Sequence, residues 1–504
     1  MVTPMVLAQR PWLIAGLCFV LMLALRLPFL SQTLLGEEGT HAMLVIGGYE
    51  LHFDPSSQRN AQGQDEHCLL IVAQLAGVDV VARPGRSLMP YCILGYGVRP
   101  LVQVFHPQNL SFDEKSVLVR SAFLAISIFG MIALTFLAYL VSLRLSTGLA
   151  RWAPYLILLF ATSSPLIVGA TIQPQLDGAF GFAFLGTASL LLYGASRPNI
   201  SKVMRILFAF GCGILATLCK NEWPIALMAS ILGLLFLRLG VLAVLHGWAK
   251  FRINSSPTMS LEEGSQVSGL VLGLFGGMAA GITLCYWLSP SDYMAGFSLM
   301  HGIQDSRKSH WKIFAKSVWF NAPLLKTLFI LLAMGLVMAL SNWRRLLSTQ
   351  FSLAILWVWA CAITIGFLQS GWGGDGFPRY FVTSFVLAAS FVLSQLPAFF
   401  GMWESRLRVQ LFLGAIFILT ILNITQLVFI FALKQSITVP ADPQNTKEAL
   451  IGASQLYLRD QYGVVFHHSS LRYYFPGTNF ISQAIGEEGA KQWKLPDERY
   501  HMVF

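Results

Sequence analysis

The pair Glu37-Glu38 is the strongest candidate for chemistry in this chain. It directly follows the first long apolar run, in a protein of which only 12% of residues are charged. The apolar stretch 42–48 comes next, so the pair lies between two elements expected to be anchored in a membrane. A half-buried carboxylate in such a place can act as general base towards a hydroxyl group. The alternative interpretation is a solvated helix end.

Asp177 is the second acidic candidate. It lies at the start of an apolar run, just after Pro174. Aspartate caps helix N-termini well, so a capping role is the alternative, and both roles can coexist. We expect acids from two separate loops to converge on one cleft.

Four cations form the third group of candidates. Lys220 ends one apolar run, Arg379 begins another, and Arg83 and Arg86 precede the segment 88–105. Long basic side chains at span ends often only extend to lipid headgroups, which is the alternative for each. Arginine binds phosphate oxygens in bidentate fashion and lysine adds a point charge. The four cations therefore suggest a site for a lipid-linked phosphate or diphosphate.

His310-Trp311 is a weaker candidate for sugar contact, because an aromatic face can stack on a sugar ring; an interfacial belt residue is the alternative. No zinc-ligand spacing, P-loop, dinucleotide glycine pattern or nucleophile elbow occurs in the sequence. The loops expected in the cytoplasm are too short for a nucleotide-binding domain. We therefore expect an activated substrate that arrives through the membrane as a lipid conjugate.

The elements that position these residues are predicted to be membrane helices. The 504 residues are 55% hydrophobic, with a mean hydropathy of +0.62. Several apolar runs reach the roughly 20 residues needed to cross a bilayer. The net charge of +10 comes from basic residues scattered over loops, which favours lipid headgroups over nucleic acid.

Apolar windows predict about eleven transmembrane helices in an all-α polytopic fold. They cover residues 11–30, 118–143, 152–170, 176–194, 203–219, 223–246, 267–289, 322–340, 351–370, 377–399 and 409–433. The segment 88–105 contains Pro90, Gly95 and Pro100, and we interpret it as juxtamembrane or re-entrant.

Charge asymmetry orients the helices. With eleven spans, Arg10 and the loops on its side hold 13 basic residues against three acids, which are Glu262, Glu263 and Glu404. Positive loops face the cytoplasm. The N-terminus is therefore predicted to be cytoplasmic, and 21 of the 24 acids fall on the outer face.

Two regions are expected outside the membrane. The first outer loop, 31–117, carries juxtamembrane helices within a transmembrane domain of residues 1–433. The tail, 434–504, combines a helix-like 445–460 with a strand-like 463–466, which predicts a small α/β appendage. Cys68 and Cys92 share the first outer loop, where either a disulfide or two free thiols is possible.

The order of short motifs along residues 10–400 resembles a known enzyme superfamily. The motifs are the acidic pair with His41, Arg120-Ser121-Ala122, Leu143-Arg144-Leu145, Ser164-Pro165, Gln173 to Asp177, Lys220 and Pro378-Arg379-Tyr380. The chain resembles the GT-C superfamily of polyprenyl-phosphate-sugar glycosyltransferases. It is most similar to the bacterial branch of the dolichyl-phosphate-mannose protein mannosyltransferases, which includes lipid A aminoarabinose transferase and lipopolysaccharide-core galacturonosyltransferases.

The resemblance implies roles for individual residues. Glu37 takes the place of the catalytic base, where the family has Asp, and Glu38 takes the second acidic place. Asp177 matches an acid that orients the acceptor or the base. Lys220, Arg83, Arg86 and Arg379 are expected near the donor phosphate. The residues expected to contact the sugar or the acceptor are His41, His310, Trp311 and Tyr380.

The implied reaction is glycosyl transfer with inversion, at the outer face of a bacterial inner membrane. The donor is a polyprenyl-phosphate sugar, and the acceptor is a glycolipid, glycan or protein. No cofactor is implied with certainty, although some relatives bind a divalent metal near the acids. Two alternatives remain. One is a lipid-linked glycan ligase or polymerase using a diphosphate donor. The other is a transporter or flippase of a lipid-linked or anionic solute, which would need mid-membrane charges and paired broken helices.

Overall fold

A computed structural model describes most of the helical part of the chain. The described residues are 10–32, 34, 38–47, 50–59, 65–75, 78–82, 88–145, 148–220, 222–251, 261–290, 293, 311–369, 378–402, 406–434, 437, 463–466, 480–482 and 500–503.

Every apolar run predicted to span the membrane is helical. The helices are α1 (Pro11–Ala24), α5 (Phe112–Ser142), α6 (Ala153–Thr162), α7 (Pro165–Ile172), α8 (Leu176–Ala195), α9 (Lys202–Leu218), α10 (Glu222–Phe251), α11 (Leu261–Leu288), α12 (Trp311–Ser341), α14 (Phe351–Gln369), α15 (Val382–Gly401) and α16 (Arg406–Ala432). In the described part of the chain, eight helices are long and apolar enough to cross a membrane, and α6 with α7 makes a ninth if counted as one span. The predicted multi-pass helical architecture is confirmed.

One predicted span is broken. Residues 152–170 were expected to form one helix, but α6 ends at Thr162 and α7 starts at Pro165, with a bend of 69° between them. Proline lacks an N–H group and fits the first turn of a helix, so Pro165 restarts the helix and does not continue it. The short helix α7 therefore leads the chain at a new angle towards Asp177.

The centre of the bundle is α15, which packs against α8, α12 and α14. It is the most buried of the candidate spans, whereas α16 lies at the periphery with side chains such as Leu411 and Ile418 exposed. Exposed apolar side chains on a membrane helix face lipid. The bundle thus surrounds one central helix.

Glycines let α9 and α11 pack with their backbones close together. A side chain at Gly273 would meet Ile206, and a side chain at Gly277 would overlap the carbonyl oxygen of Phe210. On α9, Gly213 lies against the backbone of α11 in the same way. Small residues spaced by four positions are a common device for close helix contact in membranes. This contact fixes α9, whose C-terminal end leads to Lys220.

The first long loop contains more than the predicted juxtamembrane helices. The helix α2 (Glu38–Ile46) is followed by an antiparallel sheet in the order β1-β2-β3 (Glu50–Arg59, Asp65–Leu75, Val78–Ala82). A continuous helical segment follows, formed by α3 (Leu88–Cys92), a π-helical turn (Ile93–Val98) and α4 (Arg99–Gln103). Cys92 carries a free thiol.

The remaining described elements are short. A six-residue helix, α13 (Trp343–Ser348), precedes α14. In the tail, the expected strand is present as β4 (Gly463–Phe466), between the parallel strands β5 (Phe480–Ser482) and β6 (Tyr500–Val503). The helix expected over 445–460 lies outside the described residues.

Candidate active site

Asp177 and Lys220 lie at the same end of a helical hairpin. Asp177 is in the first turn of α8, after the extended residues Gln173 and Gln175. The antiparallel partner α9 ends at Leu218, so Lys220 returns to that end before α10 begins. We refer to this as the Asp177 end of the bundle, and to the opposite end of α8 as the Arg144 end.

The two side chains form an ion pair between Lys220 Nζ and Asp177 Oδ1, with side-chain exposures of 10% and 13%. A buried pair of this kind is stable only as a pair, since removal of one partner leaves an uncompensated charge. The pair is therefore a fixed feature of this end of the bundle.

Two stacked aromatic rings complete the surroundings of Lys220. Its Nζ lies 4.7 Å from the ring centroid of Tyr380 and 5.9 Å from that of Phe367. The two rings are stacked, with centroids 5.3 Å apart. Tyr380 belongs to a single helical turn, Pro378–Phe381, which packs against α7, α8 and α15. The ammonium group is thus held between a carboxylate and an aromatic surface, a favourable arrangement for a cation.

The electrostatics keep Lys220 charged. Burial acts to lower the pKa of Lys220, but Asp177 and then Glu222 outweigh burial, and the pKa lies above its usual value. Lys220 is therefore an ammonium group at neutral pH. A carboxylate and an ammonium in one protected place can together bind a polar substrate or orient a hydroxyl group.

A second polar pair lies in the first loop. His41 is buried in α2, one turn after Glu38, and its Nε2 lies 3.3 Å from the hydroxyl oxygen of Tyr91. Gln103 Nε2 donates to the carbonyl oxygen of Ile46 at 2.6 Å, which attaches α2 to the 88–103 segment. Sequence reasoning missed Tyr91. Its signal was a hydroxyl group within the mainly apolar segment 88–105.

Arg26 is another residue that sequence reasoning missed as a functional candidate. It is fully buried at the end of the first span. Its Nε donates to Thr171 Oγ1 at 2.8 Å in α7, and its terminal nitrogens donate to the carbonyl oxygens of Met22 and Thr162. The arginine thus links the first span to both halves of the broken helix, which leads to Asp177. The signal was an arginine placed inside an apolar run.

Gln32 precedes the acidic pair in the chain and connects the end of the first span to α5 and to the start of the tail. Its carbonyl oxygen accepts a hydrogen bond of 3.0 Å from Nε of the buried Arg120. Its side-chain Oε1 accepts a hydrogen bond of 3.0 Å from the backbone N–H of Ile437, which follows α16. The chain that enters Glu37-Glu38 is therefore anchored to α5 and to the start of the tail.

The structure brings together three of the predicted site residues, which are Asp177, Lys220 and Tyr380. It describes the backbone of Glu38, Trp311 and Arg379, whose side chains are not among those described. Four predicted residues lie outside the described part of the chain, namely Glu37, Arg83, Arg86 and His310. Among the described residues no group of three His, Cys, Asp or Glu side chains could hold a metal ion.

Comparisons with known proteins give a weak structural likeness. No protein-family model matches the chain, and no curated protein matches it. The chain is similar to two crystal structures of ArnT from Cupriavidus metallidurans. The apo structure is 14% identical with a TM-score of 0.46, over 95% of this chain and 89% of that one. The structure bound to undecaprenyl phosphate is 13% identical with a TM-score of 0.48, over 97% and 89%.

Proposed function

We propose that this protein is an integral-membrane glycosyltransferase. It moves a sugar from a polyprenyl-phosphate donor to an acceptor hydroxyl group, with inversion at the anomeric carbon. The reaction takes place at the Asp177 end of the bundle, which we propose faces the outer side of a bacterial inner membrane. The proposal is supported by the sequence resemblance and by the chain's own site geometry.

The buried Asp177–Lys220 pair is the observation that carries the proposal. Two opposite charges next to stacked aromatic rings are costly to build for structure alone, because desolvation opposes burial of each charge. In the proposed reaction Asp177 orients the acceptor hydroxyl or the base. Lys220 keeps the Asp177 carboxylate in place and adds positive charge where the donor phosphate is expected.

The proposed chemical step uses the acidic pair of the first loop. Glu37, or Glu38 in its absence, takes the proton from the acceptor hydroxyl group. The hydroxyl oxygen forms a bond to the anomeric carbon while the bond between that carbon and the phosphate oxygen breaks. Polyprenyl phosphate leaves with the electron pair, and Arg83, Arg86 and Arg379 stabilise its charge. The transition state is oxocarbenium-like, as in glycoside hydrolysis.

A transporter is a less suitable interpretation. Transporters of the inverted-repeat type place broken helices in pairs around a site at mid-membrane. Within the described residues one broken pair is present, α6 with α7, and the Asp177–Lys220 ion pair lies at helix ends. This arrangement favours chemistry at the membrane surface.

The test uses the full chain purified in detergent, with undecaprenyl-phosphate sugars as donors. Undecaprenyl phosphate is chosen because it is the lipid in one of the two similar crystal structures. The variants Glu37→Gln and Asp177→Asn are expected to bind the donor lipid but not to transfer its sugar. Mass spectrometry of envelope glycolipids from a deletion strain is expected to show one missing sugar, which identifies the acceptor.

One result would change the assignment of the base, and another would contradict the proposal. Wild-type turnover in Glu37→Gln removes Glu37 as the base and leaves Glu38 or Asp177. An unchanged set of glycolipids, glycans and glycoproteins in the deletion strain contradicts glycosyl transfer itself. Glu404, on the opposite side in the predicted topology, provides the control substitution Glu404→Gln.

A further inference from the structure

The Arg144 end of the bundle contains an arrangement that the proposed function does not use. Two guanidinium groups lie over one tyrosine ring. The central carbon of Arg144 is 5.2 Å from the ring centroid of Tyr193, and that of Arg197 is 5.6 Å from it. Tyr193 is only 1% exposed, whereas Arg144 is exposed and Arg197 is half-buried. The ring thus holds two like charges at the edge of the bundle.

Three helices build this cluster. Arg144 follows the end of α5 at Ser142, and Arg197 follows the end of α8 at Ala195. Arg205, buried in the first turn of α9, donates to the carbonyl oxygens of Ala195 at 3.0 Å and Arg197 at 3.1 Å. The backbone that carries Arg197 is therefore fixed, and the cluster does not depend on a free loop.

Among the described residues, the charges of the cluster have no carboxylate counterpart. Between residues 142 and 205 the only acid in the sequence is Asp177, at the opposite end of α8. No described carboxylate forms an ion pair with Arg144 or Arg197. Cations near helix C-termini interact favourably with the helix dipole, and this accounts for each arginine singly. It does not account for the placement of both over one ring, where the two charges repel each other.

We propose that Arg144, Arg197 and Tyr193 form a binding site for the phosphate of an anionic phospholipid headgroup. Guanidinium groups bind phosphate oxygens in bidentate fashion, and a ring that already orients them reduces the ordering cost of binding. The site lies at the ends of membrane helices, the level at which headgroups occur. Basic pockets between membrane helices are known to take such lipids.

Arg344 and Arg345 provide a natural contrast. Both are exposed, and Arg344 lies over the exposed ring of Trp343 at 5.3 Å. That pair has the same charge but has one arginine on an exposed ring. It should attract an anionic membrane only diffusely.

The test compares thermal unfolding of the full chain in two kinds of nanodisc. One kind contains phosphatidylcholine alone, and the other contains phosphatidylcholine with phosphatidylglycerol. Wild type is expected to have a higher Tm with phosphatidylglycerol. The double variant Arg144→Gln/Arg197→Gln is expected to lose at least half of that difference, and Arg344→Gln/Arg345→Gln is expected to keep it.

Three results would overturn the proposal. The first is a full phosphatidylglycerol effect in the Arg144→Gln/Arg197→Gln variant. The second is an equal loss in the Arg344→Gln/Arg345→Gln control, which would indicate diffuse attraction. The third is an equal rise of Tm when inorganic phosphate is added to phosphatidylcholine nanodiscs, which would indicate a site for free phosphate. If the double variant does not fold, the exposed single variant Arg144→Gln decides between the same outcomes.

Discussion

The two ends of α8 differ in the partners that surround their positive side chains. At its start, Lys220 is buried and pairs with Asp177, and a stacked pair of aromatic rings faces the ammonium group. At its end, Arg144 and Arg197 share the ring of Tyr193 without a described carboxylate partner. A cation closed in by a carboxylate is suited to hold a site in one geometry. Cations arranged around a ring without an acid are suited to receive an anion from outside.

The largest effect is expected from Asp177→Asn, which removes the acid from one end. Lys220 then remains buried without its main partner, which should cost about 3–5 kcal/mol of folding free energy. Glycosyl transfer should fall by roughly 100-fold or more, as when a preorganised charge is lost from an active site. Thermal unfolding and a transfer assay measure the two effects.

The double variant Asp177→Asn/Lys220→Met is the matched control. An apolar side chain in place of the buried cation should recover most of the stability but none of the transfer. Recovery of both would show that the pair is structural. The Asp177 end would then not be the place of the proposed reaction.

The next-largest effect is expected where α11 packs against α9, the helix that connects the two ends of the bundle. Gly277→Ala places a methyl group against the carbonyl oxygen of Phe210 and should destabilise the protein by about 1–3 kcal/mol. The adjacent variant Gly276→Ala places its methyl group 3.6 Å from the Phe210 ring, an ordinary contact. Chemical denaturation should therefore separate the two variants. Equal stability would mean that α9 and α11 do not pack as described.

A smaller effect is expected at the aromatic surface of the Asp177 end. Tyr380→Leu removes the ring that faces the Lys220 ammonium group and should cost about 0.5–2 kcal/mol. Tyr380→Phe keeps the ring and should cost less. If the two variants lose equal stability in thermal unfolding, the hydroxyl group matters and the ring does not.

The smallest effect belongs to an exposed ion pair in the first loop. Arg99 donates to Glu50 at 3.0 Å, and this hydrogen bond lowers the pKa of Glu50. The stabilisation is therefore present above the usual glutamate pKa and is lost as the pH falls through the lowered pKa of the folded state. The side chain of Glu50 is 56% exposed, so the contribution should be less than about 1 kcal/mol.

Unfolding measured from pH 7 down to pH 3 checks this expectation against Glu50→Gln. The variant should lack only this small part of the acid dependence. If Glu50→Gln lost as much stability as Asp177→Asn, the expected difference between exposed and buried ion pairs would be contradicted.

The helices were predictable because a membrane demands long apolar runs. The run predicted over 176–194 became Leu176–Ala195, and 351–370 became Phe351–Gln369. The hairpin of α8 and α9 also predicts that Asp177 and Lys220 share one end. Their direct contact, and the approach of Phe367 and Tyr380, depend on which distant helices pack together, and hydropathy does not contain that information.

Other features could not be predicted from the sequence, and the reasons differ. Ser164-Pro165 was recognised as a motif, but the bend of 69° depends on where the freed carbonyl groups find donors, and Arg26 supplies one of them. The three-stranded sheet of the first loop was missed. Its strands lie in a loop between apolar runs, where helices anchored to the membrane were expected.

Arg26 also has a consequence for the order in which the protein is assembled. Its partners Thr162 and Thr171 lie 136 and 145 residues later in the chain. An arginine near the end of a span can extend its side chain to the aqueous interface when it has no partners inside the protein. During synthesis we therefore expect Arg26 to extend to the interface, with the local carbonyl oxygen of Met22 as its partner, until the broken helix has been made. The buried position of Arg26 thus depends on a helix that does not yet exist when the first span is made.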